Sequence, residues 1–326
     1  MIEVSIIIVN WRSREYLRAC LESIFMNPPS VSWEIIVVDG GSFDGCGEML
    51  AERFPKVRFV QSIENIGFGQ CNNLAADVAR APVLVLLNPD TEVRAGALDL
   101  LVAALRGSAD AGVVGARLLN SDGSLQTCCV RALPTPWNRA LAFECLSGLF
   151  VNSRLWGMQG ARHATSPVAV EAVSGACMAL RASVFKRLKG FDPRYFMYGE
   201  DMDLCMRVAR LGLKVYHAPA AVVVHHGGGS SRTQADQYGT IMARISAETY
   251  MMLNHGRWTA LQYRVLQGVS ALARILLVLA VYAVWFSRWH DSVRSTVSKW
   301  WFVLMWSLGK CRMHPPTCNN GRTACS

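Results

Sequence analysis

The stretch Val83-Leu84-Val85-Leu86-Leu87-Asn88-Pro89-Asp90-Thr91-Glu92 joins a short apolar run to a polar turn. Five consecutive apolar residues, bounded by Pro82 and by Asn88-Pro89, predict a β-strand that is buried on both faces. In open α/β sheets ligands bind beyond the carboxyl ends of the strands, so Asp90 would lie at the mouth of a ligand site. The stretch is equally compatible with a plain turn in which Asn88 and Asp90 only stabilise the backbone.

Apolar runs alternate with segments of helical periodicity on the N-terminal side of this stretch. The run at residues 4–9 is followed by Asn10-Trp11, and the run at residues 34–38 is followed by Asp39-Gly40-Gly41-Ser42. Residues 57–60 and 83–87 predict a third and a fourth strand, and the segments between strands carry apolar residues at helical spacing. This alternation predicts a doubly wound α/β sheet whose strands are mainly parallel.

A dinucleotide-dependent dehydrogenase is one alternative for such a sheet. That class needs a glycine-rich turn after the first strand, where the pyrophosphate approaches a helix N-terminus. Here the turn is Asn10-Trp11-Arg12-Ser13, and the fragments Gly45-Cys46-Gly47 and Gly67-Phe68-Gly69 lack a third glycine at the required spacing. The sequence therefore disfavours a dehydrogenase.

A second informative segment follows the irregular residues 128–167. Apolar residues at helical spacing over 204–211 predict a helix that ends at Gly212. Its first turn then holds three carboxylates: Glu200, Asp201 and Asp203. Acids in a first turn are stabilised by the helix dipole, which requires no function. The functional alternative is a general base at the mouth of the sheet, beside the aromatic Tyr198.

Two adjacent histidines, His225 and His226, end a predicted strand at residues 221–224 and precede a glycine run. A histidine at a strand end is suited to ligate a metal. It is more often a surface residue or a hydrogen-bonded core residue.

Composition and length limit the class of protein. With 52% hydrophobic residues in 326, the chain is not disordered and has enough residues for one large domain or two. The 11 cysteines include no Cys-x-x-Cys pair, so we expect reduced thiols and neither a disulfide framework nor a zinc site. The N-terminus lacks a basic region and a long apolar run, so we expect a cytosolic start.

Positive charge is concentrated in the C-terminal part of the chain. Residues 257–326 hold nine bases, one acid and six of the ten tryptophans, and so carry eight of the nine net positive charges. Bases interleaved with apolar runs favour an anionic membrane surface over nucleic acid. The uncharged run at 275–286 is too short to cross a bilayer of about 30 Å, and a longer span would bury Arg274 in lipid. We expect membrane-associated interfacial helices within 236–310 and a flexible tail at 311–326. Helices that pack on the catalytic domain or on a second subunit are the alternative.

The order and spacing of these segments resemble the inverting nucleotide-sugar glycosyltransferases of family 2, and among them the bacterial rhamnosyltransferases of polysaccharide biosynthesis. The resemblance implies the GT-A fold, a Rossmann-like sheet in a catalytic domain at 1–235. Its nucleotide-sugar-binding half would be 1–120 and its acceptor-binding half 121–235. The matching segments are Ile8-Val9-Asn10-Trp11, Val37-Val38-Asp39-Gly40-Gly41-Ser42, Glu64-Asn65-Ile66-Gly67-Phe68 with Asn72-Asn73, Leu87-Asn88-Pro89-Asp90, Gly175-Ala176, Gly199-Glu200-Asp201-Met202-Asp203-Leu204 and His225-His226-Gly227-Gly228.

The resemblance also implies a divalent cation, Mg²⁺ or Mn²⁺, that offsets the negative charge of the departing nucleoside diphosphate. Asp90 would be its ligand. Family members usually carry Asp-x-Asp at this point, whereas this chain has Asn88 in the first place. The substitution makes His225 or His226 the expected second ligand.

Further roles follow from the same resemblance. Asp201 would be the catalytic base that takes the proton from the acceptor hydroxyl, with Glu200 as its competitor. Tyr198 and Gly175 would line the acceptor site, and Asp39 would accept a hydrogen bond from the nucleotide base. The complete nucleotide-binding set would be Val9, Asn10, Trp11, Asp39, Asn65 and Asn88.

The expected reaction moves L-rhamnose from dTDP-rhamnose to a lipid-linked saccharide at the cytoplasmic face of the inner membrane. We expect no nucleic-acid partner, and the sequence is compatible with a homodimer. One alternative keeps the fold and uses a UDP- or GDP-sugar. Another is an inactive membrane-associated scaffold, which would not be expected to keep both Asp90 and Asp201. The Gln-x-x-Arg-Trp string of processive members is absent, so we expect the addition of one sugar or a few.

Overall fold

The computed structural model describes residues 1–141, 157, 160–227, 236–284 and 290–310. The chain forms two compact units. The first, the sheet unit, contains residues 1–133, 157 and 160–227. The second, the helical unit, contains 134–141, 236–284 and 290–310. The predicted flexible tail at 311–326 lies outside the described residues.

Eleven strands and ten helices are present in the described part of the chain. The strands are β1 Val4–Asn10, β2 Trp33–Asp39, β3 Arg58–Gln61, β4 Val83–Leu87, β5 Thr91–Val93, β6 Ala111–Leu119, β7 Val130–Arg131, β8 Val168–Val170, β9 Ala172–Val173, β10 Cys177–Arg181 and β11 Lys214–His225. The helices are α1 Arg14–Met26, α2 Cys46–Arg53, α3 Phe68–Val78, α4 Ala97–Gly107, α5 Pro136–Ala140, α6 Ala182–Arg187, α7 Glu200–Arg210, α8 Asp236–His255, α9 Arg257–Val284 and α10 His290–Ser307.

The main sheet has the strand order β3-β2-β1-β4-β10-β6-β11-β5, with β8 beside β11. Strands β1 to β4 are parallel to one another, and β6 is parallel to β11. Every residue of β1 and of β4 is buried, which explains why β4 is an uninterrupted apolar run and why only Ser5 interrupts the apolar residues of β1 before Asn10. The predicted doubly wound α/β sheet is confirmed.

The strand register gathers polar residues at one edge of the sheet. Asn10 at the end of β1 lies opposite Asp39 at the end of β2, and Ile8 lies opposite Leu87 at the end of β4. Parallel strands therefore deliver the turns after β1, β2 and β4 to a common edge, as expected for a ligand site in an open sheet.

Strand β10 runs antiparallel between β4 and β6 and has no counterpart in the predicted order of parallel strands. An antiparallel strand needs no crossover helix to lie beside its neighbour. Cys177 of β10 pairs with Leu87 of β4. Just beyond this pair, the backbone N–H of Asn88 donates to the carbonyl oxygen of Ala176 at 2.9 Å.

Strand β11 is a single strand of 12 residues, where the sequence predicts two short strands at residues 214–216 and 221–224. Its pairing with β6 shifts register between Ala218 and Val222, next to Pro219. A proline cannot donate to the ladder, and the bulge accommodates it without ending the strand. The prediction of two strands was wrong for this reason.

The helical unit includes α5, which the sequence analysis assigned to the acceptor-binding half. The hydroxyl of Ser270 in α9 donates to the carbonyl oxygen of Ala140 in α5 at 2.9 Å. Helix α9 is continuous, and by length and composition its segment Arg257–Tyr282 is able to cross a membrane, with a mean hydropathy of 2.0 and about one-third of the apolar window buried. Arg274 lies within this segment, and its guanidinium lies 4.0 Å from the ring centroid of Trp300 in α10.

Candidate active site

Asn10 and Asp39 meet at the ends of β1 and β2. The side-chain amide of Asn10 donates to Asp39 Oδ1 at 3.0 Å and also contacts Asp44 at 3.2 Å. Both oxygens of Asp39 accept further hydrogen bonds. Their donors are the backbone N–H groups of Ser42 and Phe43, the Ser42 hydroxyl and the Gln61 amide.

These hydrogen bonds fix the charge state of Asp39, which has no exposed surface. Burial alone would raise the pKa of Asp39, but the hydrogen bonds from Ser42, Gln61, Phe43 and Asn10 outweigh it and leave the pKa lowered. Asp39 is therefore an ionised carboxylate that holds the turn after β2. A nucleotide base would have to replace one of the present donors to bind it.

The turn after β2 lies close to Asn65 because of Gly41. Gly41 has φ +76°, and a Cβ at this position would lie 2.6 Å from the carbonyl carbon of Glu64. Only glycine fits such an approach. The side chain of Asn65 accepts a hydrogen bond from the backbone N–H of Gly67 at 3.1 Å, so it shapes the turn that leads into α3.

Trp11 stands half-buried at the end of β1, directly after the buried Val9 and Asn10. The guanidinium of Arg12 lies 5.1 Å from the centroid of the Trp11 ring. Arg12 has φ +51°, a conformation that side-chain-bearing residues adopt at an energetic cost. The turn thus presents an aromatic face and a cation beside the Asn10–Asp39 pair.

Asp90 and His225 face each other on the turn after β4 and at the end of β11. His225 Nε2 lies 3.3 Å from Asp90 Oδ1 and 3.4 Å from the Asn88 amide nitrogen. The amide nitrogen of Gln126 donates to the His225 carbonyl oxygen, so Gln126 Oε1 faces His225 Nδ1 at 2.9 Å and accepts a hydrogen bond from it. Nε2 is then the ring nitrogen that faces Asp90 and is placed to bind a metal.

This arrangement fits a divalent cation. A carboxylate oxygen and an imidazole lone pair are directed at the same point, and a glutamine fixes the tautomer as metal-bound histidines require. Asn88 Oδ1 is buried and has no hydrogen-bond partner among the described residues, so it is a third acceptor close by. We therefore expect His225 to be the second ligand of the cation, beside Asp90.

His226 points elsewhere. Its Nε2 donates to Glu92 at 2.9 Å, and its Nδ1 accepts from the Ser121 hydroxyl at 2.8 Å. Its ring also packs against Tyr16, with centroids 5.9 Å apart. Because both ring nitrogens are already bonded to protein groups, we do not expect His226 to bind the metal.

A second group of potential ligands, Asp39, Asp44 and Cys46, has ligand atoms within 4.8 Å of one another. It suits a metal poorly. Burial, followed by the charges of Asp39 and Asp44, raises the pKa of the Cys46 thiol, so the thiolate that would bind a metal is disfavoured.

Asp201 begins α7 and is almost fully buried. Its Oδ2 accepts from the backbone N–H of Gly175 at 3.1 Å, and its Oδ1 accepts from its neighbour Met202 at 2.8 Å. These two bonds, one to each carboxylate oxygen, fix the orientation of the side chain. Because Gly175 precedes β10, these bonds tie α7 to the sheet edge that carries Asn88 and Asp90.

Glu200 is its buried neighbour, and burial together with the charge of Asp201 raises the pKa of Glu200 to about 8. Its Oε2 has no hydrogen-bond partner among the described residues. The raised pKa favours the protonated form of Glu200 beside the Asp201 carboxyl group. Tyr198, with φ +69°, adjoins the pair in a strained backbone conformation.

Arg131 was not anticipated as a site residue. Burial lowers its pKa, but the charge of Asp201, followed by the charge and hydrogen bond of Cys128 and then the charge of Glu200, outweighs this effect and leaves the pKa of Arg131 raised. Arg131 therefore supplies a cation to the carboxylate pair. Asp203, in contrast, forms an ion pair with Arg207 at 2.6 Å, and Arg207 also donates to the carbonyl oxygens of Leu188 and Gly190. The role of Asp203 is structural.

The model of the family described as "Glycosyltransferase like family 2" matches residues 3–267. The chain belongs to this glycosyltransferase family. The match covers most of the chain and includes all the residues of the two carboxylate sites described above.

Relatives in this glycosyltransferase family include rhamnosyltransferases. The N-acetylglucosaminyl-diphospho-decaprenol L-rhamnosyltransferase of Mycobacterium tuberculosis is 29% identical over 260 residues, which are 75% of this chain and 83% of the relative. Rhamnosyltransferase WbbL of Escherichia coli is 25% identical over 237 residues, which are 71% of this chain and 86% of the relative.

Solved glycosyltransferases share the fold. A mannosyltransferase from Pyrobaculum calidifontis, in complex with GDP-Man and Mn²⁺, aligns with a TM-score of 0.53 at 16% identity over 94% of this chain and 86% of that one. GalNAc-T7 with UDP, GalNAc and Mn²⁺ aligns with a TM-score of 0.58 at 16% identity over 92% of this chain and 55% of that one. The GT-A fold implied by the sequence is confirmed.

Proposed function

We propose that this glycosyltransferase is a metal-dependent, inverting rhamnosyltransferase that uses dTDP-rhamnose and a lipid-linked saccharide acceptor. One observation carries the proposal. The dipeptide Gly175-Ala176 binds Asp201 through the N–H of Gly175 and the turn of Asp90 through the carbonyl of Ala176. The base and the cation ligand are thereby held at one sheet edge, as transfer between a bound donor and a bound acceptor requires.

Asp201 is the proposed general base. As the acceptor hydroxyl oxygen attacks the anomeric carbon opposite the leaving group, Asp201 takes its proton, and the configuration inverts. The hydrogen bond from Gly175 orients the carboxylate for this step. Glu200, protonated at neutral pH, is proposed to orient the acceptor together with Tyr198 and Gly175.

The donor is proposed to bind along the turns after β1 and β2 and beside α3. Val9, Asn10 and Trp11 would line the nucleotide, Asp39 would hold the turn against its base, and Asn65 and Asn88 would lie on its ribose and phosphate path. Asp90 and His225 would hold Mg²⁺ or Mn²⁺, which when bound neutralises the diphosphate charge. Asn88 leaves the site with one fewer carboxylate than Asp-x-Asp, so we expect modest metal affinity.

The helical unit is proposed to hold the enzyme on the cytoplasmic face of the membrane without crossing it. A third of the apolar window in α9 is buried within the protein, and Arg274 is buried against Trp300 and so has a partner other than lipid. Six tryptophans and an excess of bases in residues 257–326 support an interfacial position.

The test is transfer by the full chain from dTDP-rhamnose, UDP-glucose or GDP-mannose to a prenyl-diphosphate-linked N-acetylglucosamine acceptor, with Mn²⁺. We expect a disaccharide lipid only with dTDP-rhamnose, and none from Asp201→Asn. Product with a UDP- or GDP-sugar alone would retain the glycosyltransferase and overturn the rhamnosyl assignment.

A further inference from the structure

The helical unit contains a cavity of about 470 Å³ bounded by α5, α8, α9 and α10. Each of these helices contributes one base to its wall, and the described lining includes no carboxylate. The four bases are Arg139, Arg244, Arg274 and Lys299. A volume of this size is within the range of small-molecule sites, about 300–1,000 Å³.

Two lining side chains bury hydrogen-bond donors that have no partner among the described residues. Gln267 of α9 is 3% exposed, and its amide nitrogen has none. The Nε of Arg244 has none either, although another nitrogen of that guanidinium donates to the Thr240 carbonyl at 2.7 Å. Buried unpaired donors are costly, and anionic oxygens are the acceptors that would satisfy both.

The two guanidinium groups are already oriented. Both lie over the ring of Trp300, with Arg274 at 4.0 Å and Arg244 at 5.2 Å from its centroid. Stacking on the ring already restricts these long side chains, so less conformational freedom is lost when a ligand binds. The planar guanidinium also matches the geometry of phosphate oxygens. The wall is therefore prepared for an oxyanion.

The cavity also adjoins apolar surface. Leu277 lines the cavity and is 58% exposed. It belongs to helix α9, which leaves one apolar side chain uncovered in almost every turn: Trp258, Leu261, Val265, Val269, Leu272, Leu276 and Leu279. Exposed apolar surface next to a cationic cavity matches a ligand with an anionic head and a hydrocarbon chain.

We propose that this cavity binds the diphosphate of a polyprenyl-type lipid, with its oxygens on Arg244, Gln267, Arg274 and Lys299 and its chain along the exposed face of α9. Four bases and two unpaired donors exceed what one phosphodiester, with a single charge, would engage. The choice of lipid rests on the proposed function, whose acceptor is such a diphosphate.

The test uses the full chain and measures binding without a donor sugar. The cavity variant is Arg274→Gln with Lys299→Gln. Its matched control, Arg257→Gln with Arg294→Gln, removes one base from each of the same two helices at exposed positions outside the cavity. Inorganic diphosphate is titrated calorimetrically in the presence of saturating dTDP, which occupies the nucleotide site.

We expect the cavity variant to bind diphosphate about tenfold or more weakly, because each lost contact is a charge-assisted hydrogen bond. The control pair should bind like the unaltered protein. Since Arg274 is buried and its loss endangers folding, Lys299→Gln alone is measured as a second variant. Equal weakening by the cavity and control pairs would overturn the proposal, because it would show general surface attraction.

Vesicle flotation distinguishes the sources of phosphate. Phosphatidylcholine vesicles carry either a polyprenyl diphosphate or phosphatidylglycerol at equal surface charge. The proposal requires stronger retention by the polyprenyl diphosphate and loss of that difference in the cavity variant. Equal retention would assign the cavity to phospholipid headgroups and overturn it. Because no sugar is transferred, a wrong donor assignment leaves this result unaffected, and a negative result leaves rhamnosyl transfer standing.

Discussion

The backbone N–H of Gly175 donates to Asp201 Oδ2 at 3.1 Å. This bond connects the segment before an antiparallel strand to the first turn of α7. It aims the carboxylate at the sheet edge that carries Asp90, so the position of the proposed base depends on β10 as much as on its own helix.

Asp201→Asn should lower the transfer rate by about 10²–10⁴-fold, the usual contribution of a general base. Nucleotide binding should change little. Asparagine has the same shape but only one acceptor oxygen, so one of the two backbone hydrogen bonds to residue 201 is lost, and the rate is compared per folded molecule. The rate is measured at saturating donor with the lipid-linked acceptor.

Asp203→Asn is the control in the same helix turn. It should lower the thermal midpoint, because it breaks the ion pair with Arg207, without a comparable loss of rate per folded molecule. A greater loss of rate in Glu200→Gln than in Asp201→Asn would reverse the two roles.

Glu200 should make stability depend on pH. Its pKa rises from an ordinary 4.5 to about 8 on folding, through burial and the charge of Asp201. The folded state therefore favours the proton, and the stability due to protonated Glu200 is complete below pH 4.5 and is lost as pH rises to about 8. Glu200→Gln removes this dependence. The variant should gain in thermal midpoint relative to the unaltered protein between pH 5 and 8, and a constant difference over that range would contradict the raised pKa.

His225 and His226 offer a comparison between adjacent residues. His225→Ala should weaken Mn²⁺ binding more than tenfold, because it removes the nitrogen that faces Asp90. His226→Ala should leave Mn²⁺ binding unchanged, since both of its ring nitrogens are bonded to protein groups. Binding is measured by the electron paramagnetic resonance of free Mn²⁺ in the presence of dTDP. The same loss in both variants would remove the distinction between the two histidines.

Gln126 is expected to act through His225. Gln126→Leu releases the hydrogen bond that keeps the proton on Nδ1, and losses of this kind cost about 10–100-fold in metal affinity. The same resonance titration applies, and Gln126→Glu, which retains an acceptor toward Nδ1, should recover part of the affinity. Full affinity in Gln126→Leu would show that the tautomer needs no support.

The sequence predicted β1 to β4 within one residue at each end, because buried parallel strands are nearly continuous apolar runs. It did not predict the direction of β10, since an apolar run carries no information about which way a strand enters the sheet. It divided β11 into two strands at 214–216 and 221–224, because the bulge that accommodates Pro219 depends on the partner strand β6.

The site residues divide in the same way. Asp90, Asp201 and His225 stand in short motifs and were identifiable along the chain, whereas Arg131 and Gln126 lie in or next to the irregular segment after β6. Their importance arises from partners far away in sequence: Asp201 for Arg131 and His225 for Gln126. No periodicity or motif marks such contacts. Likewise, nothing in the sequence of α5 indicates that it groups with the C-terminal helices.

Asp39→Asn should reduce stability and nucleotide binding together. The amide nitrogen that replaces one oxygen cannot accept from the backbone N–H groups of Ser42 and Phe43 or from Gln61, and hydrogen bonds to a charged group contribute about 1.5–3 kcal/mol each. We expect the free energy of unfolding, from urea denaturation, to fall by about 3 kcal/mol. Asp44→Asn is the control, because the carboxylate of Asp44 is less buried and retains one acceptor for Asn10. If Asp39→Asn loses dTDP binding at undiminished stability, Asp39 recognises the base directly and the turn does not depend on its charge.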